Sequence, residues 1–422
     1  MLLKYGRKLA GIIINKINIC KESPTLRAAE HDKSFTRDRK LTAKHVVAMI
    51  LEPAKQSLQT RLCEFGVKFM DGVFATKQAF SKQRQFVNPE YVREFYDETA
   101  EDMLINGECK TFKGMHLIGV DGTRLACENT PELIEKFGCS GSKNDACTAL
   151  ASTAYDLFER VSYDCQIDNY LVSEHSLLDK HLYWLKRFGP EYFMIVADRG
   201  YPSYDLLTTL IDMKYNFLLR LNDSWSKFIS QMTDTNDKHF EYKYKGIVYN
   251  FRVLKIELED KTEYLITNLN SDILSLEEAK YIYSLRWNIE TFFGFLKTEL
   301  EIENFSGKTV NSVLQEFYAT MTLANVCQCF INDANREIAA KDENSNNLYE
   351  HQANRRQCVG RIVPVFLECI FTDSISERER LWKQVEQFCA RFSEPIRPGR
   401  NPQRKIPRKR KFYPNARKPS LS

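Results

Sequence analysis

An α/β core set between helical segments is the fold class this sequence predicts, and three observations point to it. Short apolar runs alternate with helical spacing between residues 115 and 222, in MHLIGVDG, SLLDKHLYWLKRF, YFMIVADRGY and NFLLRLN. A polar stretch at about 223–270, rich in β-branched and aromatic residues, then breaks that alternation. Helical punctuation governs residues 35–105, and helical spacing returns over 316–394.

In chain order, residues 1–34 form an N-terminal extension with no pattern that assigns them a role. In the helical domain at 35–105, Thr42 is placed to cap AKHVVAMIL and Pro53 marks a boundary. A short basic helix at about Ala79–Phe86 is followed by Asn88 and Pro89, which open another. The rhythm is that of a helix–turn–helix. Lys77, Ser81, Lys82 and Arg84 are expected on the exposed side, where DNA phosphates or plain solvent account for them equally well.

From residue 115, MHLIGVDG reads as a strand ending in Asp121, and TALASTAYDLF and ERVSYDCQID read as two strands of a meander. SLLDKHLYWLKRF is a helix stopped by Gly189 and Pro190. YFMIVADRGY is a buried strand running into Asp198, followed by a helix from about Ser203 to Met213 and the strand NFLLRLN. Asp121 and Asp198 thus stand at strand exits, where an aspartate is also an ordinary turn residue. In the β-rich insertion, Lys245 and Gly246 are expected to turn a hairpin. EYLITNL fits either the end of the insertion or the last strand of the core sheet.

The segment LSLEEAKYIYSLRWNIETFFGFLK reads as one amphipathic helix. On a helical step of about 100°, Tyr283, Arg286, Glu290 and Lys297 fall within about 60° of one another, while Leu285, Ile289, Phe292, Phe293 and Leu296 share an apolar face about 100° wide. Asp121, Asp198 and Glu290 together make a carboxylate set suited to two hard divalent cations about 4 Å apart, as phosphodiester cleavage uses. Arg286 would then clamp phosphate by a bidentate fork and Lys297 as a point charge. His175 and His181 precede Asp198 without motif support, and a structural role accounts for them.

A chain of 422 residues with 43% hydrophobic content is long and apolar enough for two or three globular domains. No run approaches the 18 apolar residues of a membrane span, and GIII at 11–14 is too short for a signal segment, so neither membrane nor export is expected. Twelve cysteines without a CxxC pair argue for free thiols and no zinc. The net charge of +4 hides a tail, residues 395–422, with ten Lys and Arg and no acid, which leaves the rest of the chain at −6. Pro398, Pro402, Pro407, Pro414 and Pro419 interrupt this tail, and its densest run is Arg408, Lys409, Arg410 and Lys411. It reads as an extended arm for phosphate contact or as a solubilising terminus.

At these residues the sequence resembles the DDE transposases of bacterial insertion sequences, in particular the IS-four group. The family's last motif is Tyr, two residues, Arg, three residues, Glu, six residues, Lys, and Tyr283, Arg286, Glu290 and Lys297 match every interval. VDGT and ADRGY are similar to its first two motifs, FTRDRKLT and TKQAFSKQR to its N-terminal segments, and the likeness spans most of 35–418. The resemblance implies an RNase H-like catalytic core at 106–315 with a β-rich insertion, an all-helical N-terminal DNA-binding domain, and a helical C-terminal region at 316–394 before the basic tail. It implies a catalytic triad of Asp121, Asp198 and Glu290 binding two Mg²⁺, for which Mn²⁺ may substitute. It implies double-stranded DNA as substrate, cut at inverted-repeat ends and joined to a target, with a hairpin intermediate in members that carry this motif. A homodimer in a synaptic complex and a place at the bacterial nucleoid, in the cytoplasm, come with it. Tyr283, Arg286 and Lys297 would hold the end phosphate and the unstacked base, with Trp287 and Trp225 as candidates to stack on it or else core residues, and Arg220 resembles an arginine that contacts DNA in relatives. A structure-selective nuclease and a DNA-binding protein derived from a transposase are the rival readings. The second would have lost a carboxylate, and all three are present.

Overall fold

The structure, a computed structural model, describes residues 4–28, 34–36, 40–53, 56–141, 145–258, 261–343 and 347–397. They belong to two compact units, one drawn from Met1–Gly107, Leu125–Thr148 and Phe295–Ser422, the other from Glu108–Arg124 and Ala149–Gly294.

The first unit begins with five helices: α1 (Tyr5–Asn18), α2 (Ala43–Leu51), α3 (Leu58–Phe69), α4 (Lys77–Arg84) and α5 (Pro89–Asn106). Thr42, Ser57, Thr76 and Asn88 each accept a backbone N–H at the start of α2 to α5, a cap typically contributing about 1 kcal/mol. At α2 the bond is reciprocal, because His45 Nδ1 takes up the Thr42 N–H. The expected helix starts at Thr42 and at Asn88 with Pro89 therefore hold.

Strands and helices of the second unit follow the predicted order. They are β1 (His116–Ala126), then α6 (Pro131–Phe137) and β2 (Cys139–Ser140), which belong to the first unit, then β3 (Ala146–Asp156), β4 (Ser162–Asn169), α7 (Glu174–Leu185), β5 (Phe193–Ala197), α8 (Tyr204–Asp212) and β6 (Asn216–Arg220). After these come α9 (Ser226–Ile229), β7 (Asp237–Tyr244), β8 (Ile247–Glu257), β9 (Thr262–Thr267), α10 (Leu276–Leu285) and α11 (Trp287–Thr298). The sheet runs β3-β1-β5-β6-β9-β8-β7, with β4 paired to β3. β1, β5 and β6 are parallel to one another, and the remaining pairs β3–β4, β6–β9, β9–β8 and β8–β7 are antiparallel.

Three expectations need correction. The first strand does not end at Asp121: it continues to Ala126, because β1 keeps β3 as a neighbour after its register with β5 stops at Gly119. The β-rich stretch is continuous with the core sheet, since β9 pairs with β6 on one side and β8 on the other, so EYLITNL serves both. The long helix breaks at Arg286, where Arg286 N–H bonds Tyr283 O and Ile289 N–H bonds Arg286 O, both three residues back, tightening the turn between α10 and α11. The hairpin at Lys245 and Gly246 forms as expected, with φ of 48° and 88°, the two left-handed residues that a two-residue turn of this hand needs.

The first unit resumes with α12 (Val310–Asp342), β10 (His351–Ala353), α13 (Arg355–Phe371), α14 (Ile375–Arg391) and β11 (Ser393–Pro395). α12 is 33 residues long and buries Phe317, Leu323, Val326 and Phe330, so this stretch is packed core. α1 lies against it, the Gly6 N–H donating to Asp333 Oδ2 at 2.8 Å.

Arg84 is the clearest departure within α4. The residue is buried, and its guanidinium donates to Gln315 Oε1 at 3.0 Å, Ser306 Oγ at 3.0 Å, Glu316 Oε1 at 2.7 Å and the Ser312 carbonyl at 3.2 Å. It is a core residue tying α4 to α12, not an exposed contact for DNA. Lys77 and Lys82 on the same helix are exposed as expected. Arg408, Lys409, Arg410 and Lys411 lie outside the described residues.

Candidate active site

Strand pairing explains why residues 77 apart in sequence can meet. β1 and β5 run parallel with Gly119 opposite Val196, where their register ends, and Asp121 and Asp198 each follow two residues beyond that pair on neighbouring strands. In β5 and β6, Ala197 faces Leu219 and the next step sets Asp198 opposite Arg220. Arg220 Nη1 lies 3.7 Å from Asp198 Oδ1, and its Nη2 lies 3.2 Å from Glu263 Oε1. Asp121 lies midway along β1, whereas Asp198 just past β5 and Arg220 at the end of β6 stand side by side.

The stripe read from the helical wheel supplies the next layer. Tyr283 Oη donates to Asp198 Oδ1 at 3.1 Å, and Arg286 Nη2 donates to Glu290 Oε1 at 3.0 Å. The Arg286 guanidinium also stands 5.9 Å from the centre of the Tyr283 ring. α11 is held to its unit by Phe292 stacked on Tyr155 at 4.6 Å and by Asn288 Nδ2 donating to the Leu157 carbonyl. Lys297, two turns beyond Glu290, is 3.7 Å from Glu303. Trp287 is 51% exposed, whereas Trp225 is buried and packs on Tyr204 at 4.6 Å, which removes Trp225 as a stacking partner for a base.

Charge is unevenly compensated among the acids. Burial pushes the Asp121 carboxyl up to about 6; the Gly122 N–H and Arg286 oppose this, while Glu174 and Glu290 add to it. Burial acts the same way on Asp198, but the Arg199 N–H, Arg286, Tyr283 and Arg220 together hold it below the usual carboxylate range. Among the described residues, no three His, Cys, Asp or Glu side chains stand close enough, as placed, to hold a metal ion. Each ionised acid has instead taken a partner from the protein, Glu290 from Arg286 and Asp198 from Tyr283. The donor chemistry still suits a hard divalent cation: all the donors are oxygens, and Asp121 is the one left without a compensating cation at hydrogen-bonding distance.

A stability prediction follows from Asp121. Its folded pKa lies above its ordinary value, so it is the neutral carboxyl that favours the folded state; that stability is fully present below about pH 4 and is lost as pH rises through about 6. Asp121→Asn is therefore expected to stabilise the metal-free protein by about 2 kcal/mol at pH 8 and to change little at pH 4. Urea unfolding at the two pH values measures the difference, and equal stability at pH 8 contradicts the uncompensated charge.

Two side chains at this site were not read from the sequence. Tyr201 is buried beneath the acids, and Glu174 stands against Gly122. Tyr201 lies inside ADRGY and had a signal; Glu174, following the α7 cap Ser173, looks like any acid in a first helical turn. His181, expected to be structural, is buried between Asp164 Oδ2 at 2.6 Å and Ser152 Oγ at 3.0 Å, and Ser152 donates to the Asp121 carbonyl at 3.0 Å. His175 Nε2 lies 3.3 Å from the Gly200 carbonyl.

Acids on two neighbouring parallel strands, with a helix pair that brings Tyr283 to one of them and carries a third acid and a guanidinium, define a class: an α/β protein with a carboxylate-bearing site on its central sheet. Residues 113–326, just over half of the chain, match the family described as transposase DDE domain, and the chain belongs to that family. No curated protein matches it in sequence at a significant level. Among solved structures it is similar to a piggyBac transposase in a synaptic complex with hairpin DNA, at 10% identity over 94% of this chain and 86% of that one, with a TM-score of 0.48, a likeness too low to establish a shared fold.

Proposed function

We propose that this protein is a cut-and-paste DNA transposase of the IS-four type, with an RNase H-like core that hydrolyses the phosphodiester at inverted-repeat ends and then joins the freed 3′-hydroxyl to target DNA. The contacts of Asp198 with Tyr283 and Arg220 and of Glu290 with Arg286, on an α/β sheet whose neighbouring strand carries Asp121, are the observation that supports this reading. Family membership supports it.

In this reading Asp121, Asp198 and Glu290 would hold two Mg²⁺, or Mn²⁺ in their place. Bound there, the ions would activate the attacking water and neutralise charge on the leaving oxygen. The chain's own part lies with Arg286, now paired with Glu290, whose planar guanidinium would grip the end phosphate through two parallel hydrogen bonds. Tyr283 fixes the Asp198 carboxylate through its hydroxyl and offers its ring to Arg286. Lys297 leaves Glu303 to add a point charge, and the exposed Trp287 indole is placed to stack on an extruded base if a hairpin forms. Asp198 and Glu290 side chains are more than a third exposed and about a third exposed respectively, which suits a polymer backbone as substrate. Lys77, Lys82 and the basic tail would add salt-dependent contacts to double-stranded DNA. Two copies in a synaptic complex, acting at the bacterial nucleoid in the cytoplasm, complete the proposal. No helix among the described residues is long and apolar enough to cross a membrane.

The experiment combines purified protein, Mg²⁺ and DNA carrying the flanking inverted repeats with a supercoiled target, and resolves products on denaturing and native gels. Strand-transfer products and nicked or double-strand ends are both expected. Cutting with no transfer over the full time course would favour a structure-selective nuclease, and binding with neither would favour a non-catalytic DNA-binding protein.

A further inference from the structure

Glu174 stands at the site although no motif led to it. A Cβ built on Gly122, the residue after Asp121, falls 3.0 Å from Glu174 Oε1 and 3.3 Å from its Cδ. Gly122 is not in the left-handed region, so its backbone does not ask for glycine. What the missing side chain provides is room for the Glu174 carboxylate against the strand that carries Asp121.

A second observation is independent of the acids. Tyr201 is 2% exposed, and its buried hydroxyl has no hydrogen-bond partner of acceptable geometry. Its backbone N–H donates to the Asp198 carbonyl at 3.0 Å, which fixes the residue beside that acid, and Glu174 is the nearest acid to its hydroxyl, followed by Asp121. A buried donor without a partner is costly, and the protein retains this one where three carboxylates surround it. The dipole of α7 favours an acid at Glu174 by itself, but it accounts for neither the glycine on the facing strand nor the orphaned hydroxyl. The same helix carries His181, which through Ser152 is tied to the Asp121 carbonyl, so α7 and β1 are pinned together close to both acids.

We propose that Glu174 is a fourth oxygen ligand for the divalent cation held beside Asp121, and that the Tyr201 hydroxyl orients it by donating to the carboxylate oxygen the cation leaves free. The proposal rests on the reading of Asp121, Asp198 and Glu290 as cation ligands and extends that set by one. Tyr201 is a positioning residue; Glu174 touches the ion.

Mn²⁺ titration of the full-length protein without DNA, followed by calorimetry, separates this from catalysis. Glu174→Gln is expected to weaken Mn²⁺ binding about tenfold or more, and Tyr201→Phe by a smaller factor while leaving the metal-free melting temperature unchanged or raised. Gly122→Ala, which displaces the carboxylate without removing it, is expected to weaken binding as Glu174→Gln does, and it answers the same question should Glu174→Gln lose the circular dichroism of the wild type. Wild-type Mn²⁺ affinity in Glu174→Gln, with affinity lost in Asp121→Asn, overturns the role of Glu174 and leaves the three-acid site standing. Wild-type affinity in both variants overturns the three-acid site as well.

Discussion

Glu290→Gln should slow cleavage of inverted-repeat DNA by at least about a thousandfold, equal to about 4 kcal/mol of barrier, while leaving the fold intact. Glutamine keeps the size and one carbonyl oxygen of glutamate, so the bond from Arg286 Nη2, now 3.0 Å, can persist without the ion pair. That pair is about a third exposed on the Glu290 side, where an i, i+4 bridge typically contributes about 0.5 kcal/mol or less. What glutamine lacks is the negative charge that a divalent cation takes from its ligands. A large loss of rate with unchanged urea stability therefore separates a role in chemistry from one in folding. If the variant cuts at the wild-type rate, Glu290 is not a ligand and the acids of β1 and β5 must work without it.

The largest stability effect is expected from Arg84→Ala, at about 3–5 kcal/mol, because it strands a buried carboxylate. The Arg84 side chain is 4% exposed and that of Glu316 11%. Glu316 also accepts the Ser306 N–H at 2.7 Å and the Ser306 hydroxyl. Burial raises its pKa, but Arg84 and Ser306 more than offset this and hold the carboxyl below its ordinary value. A depressed pKa means that this stability is present above the unfolded value, near 4.5, and is lost as pH falls through the folded one. The gap between wild type and Arg84→Ala in urea unfolding should accordingly be wide at pH 7 and narrow toward pH 3. Replacing both partners by apolar residues of similar size is expected to recover much of the loss, since no charge then stays buried alone. A loss below about 1 kcal/mol at pH 7 would place the pair in solvent.

Arg84 also marks how far sequence can carry the reading. Its neighbours Lys77 and Lys82 are exposed, as a basic helix suggests, and the same helix turns Arg84 inward. Nothing local distinguishes the three. The difference comes from Gln315 and Glu316, more than 200 residues away, which supply a buried acceptor and a counter-charge. Glu174 was hidden for a related reason: an acid after a serine cap is ordinary until Gly122 is found across from it. The break at Arg286 was missed because apolar periodicity reports which side of a helix is buried and is insensitive to a single tightened turn.

By itself the sequence determined the strand and helix order of the α/β unit, the hairpin at Lys245 and Gly246, the caps at Thr42 and Asn88, and the stripe on which Tyr283, Arg286 and Glu290 meet. All of these depend on residues within a few positions of one another, where periodicity, φ preference and capping act directly. Tertiary structure alone decided that Asp121 and Asp198 lie on neighbouring parallel strands with Arg220 against Asp198, that β9 joins the hairpin to the core sheet, and that Arg84 is buried. Strand register and burial of charge are settled by partners distant in the chain, and a local pattern contains no information about who those partners are.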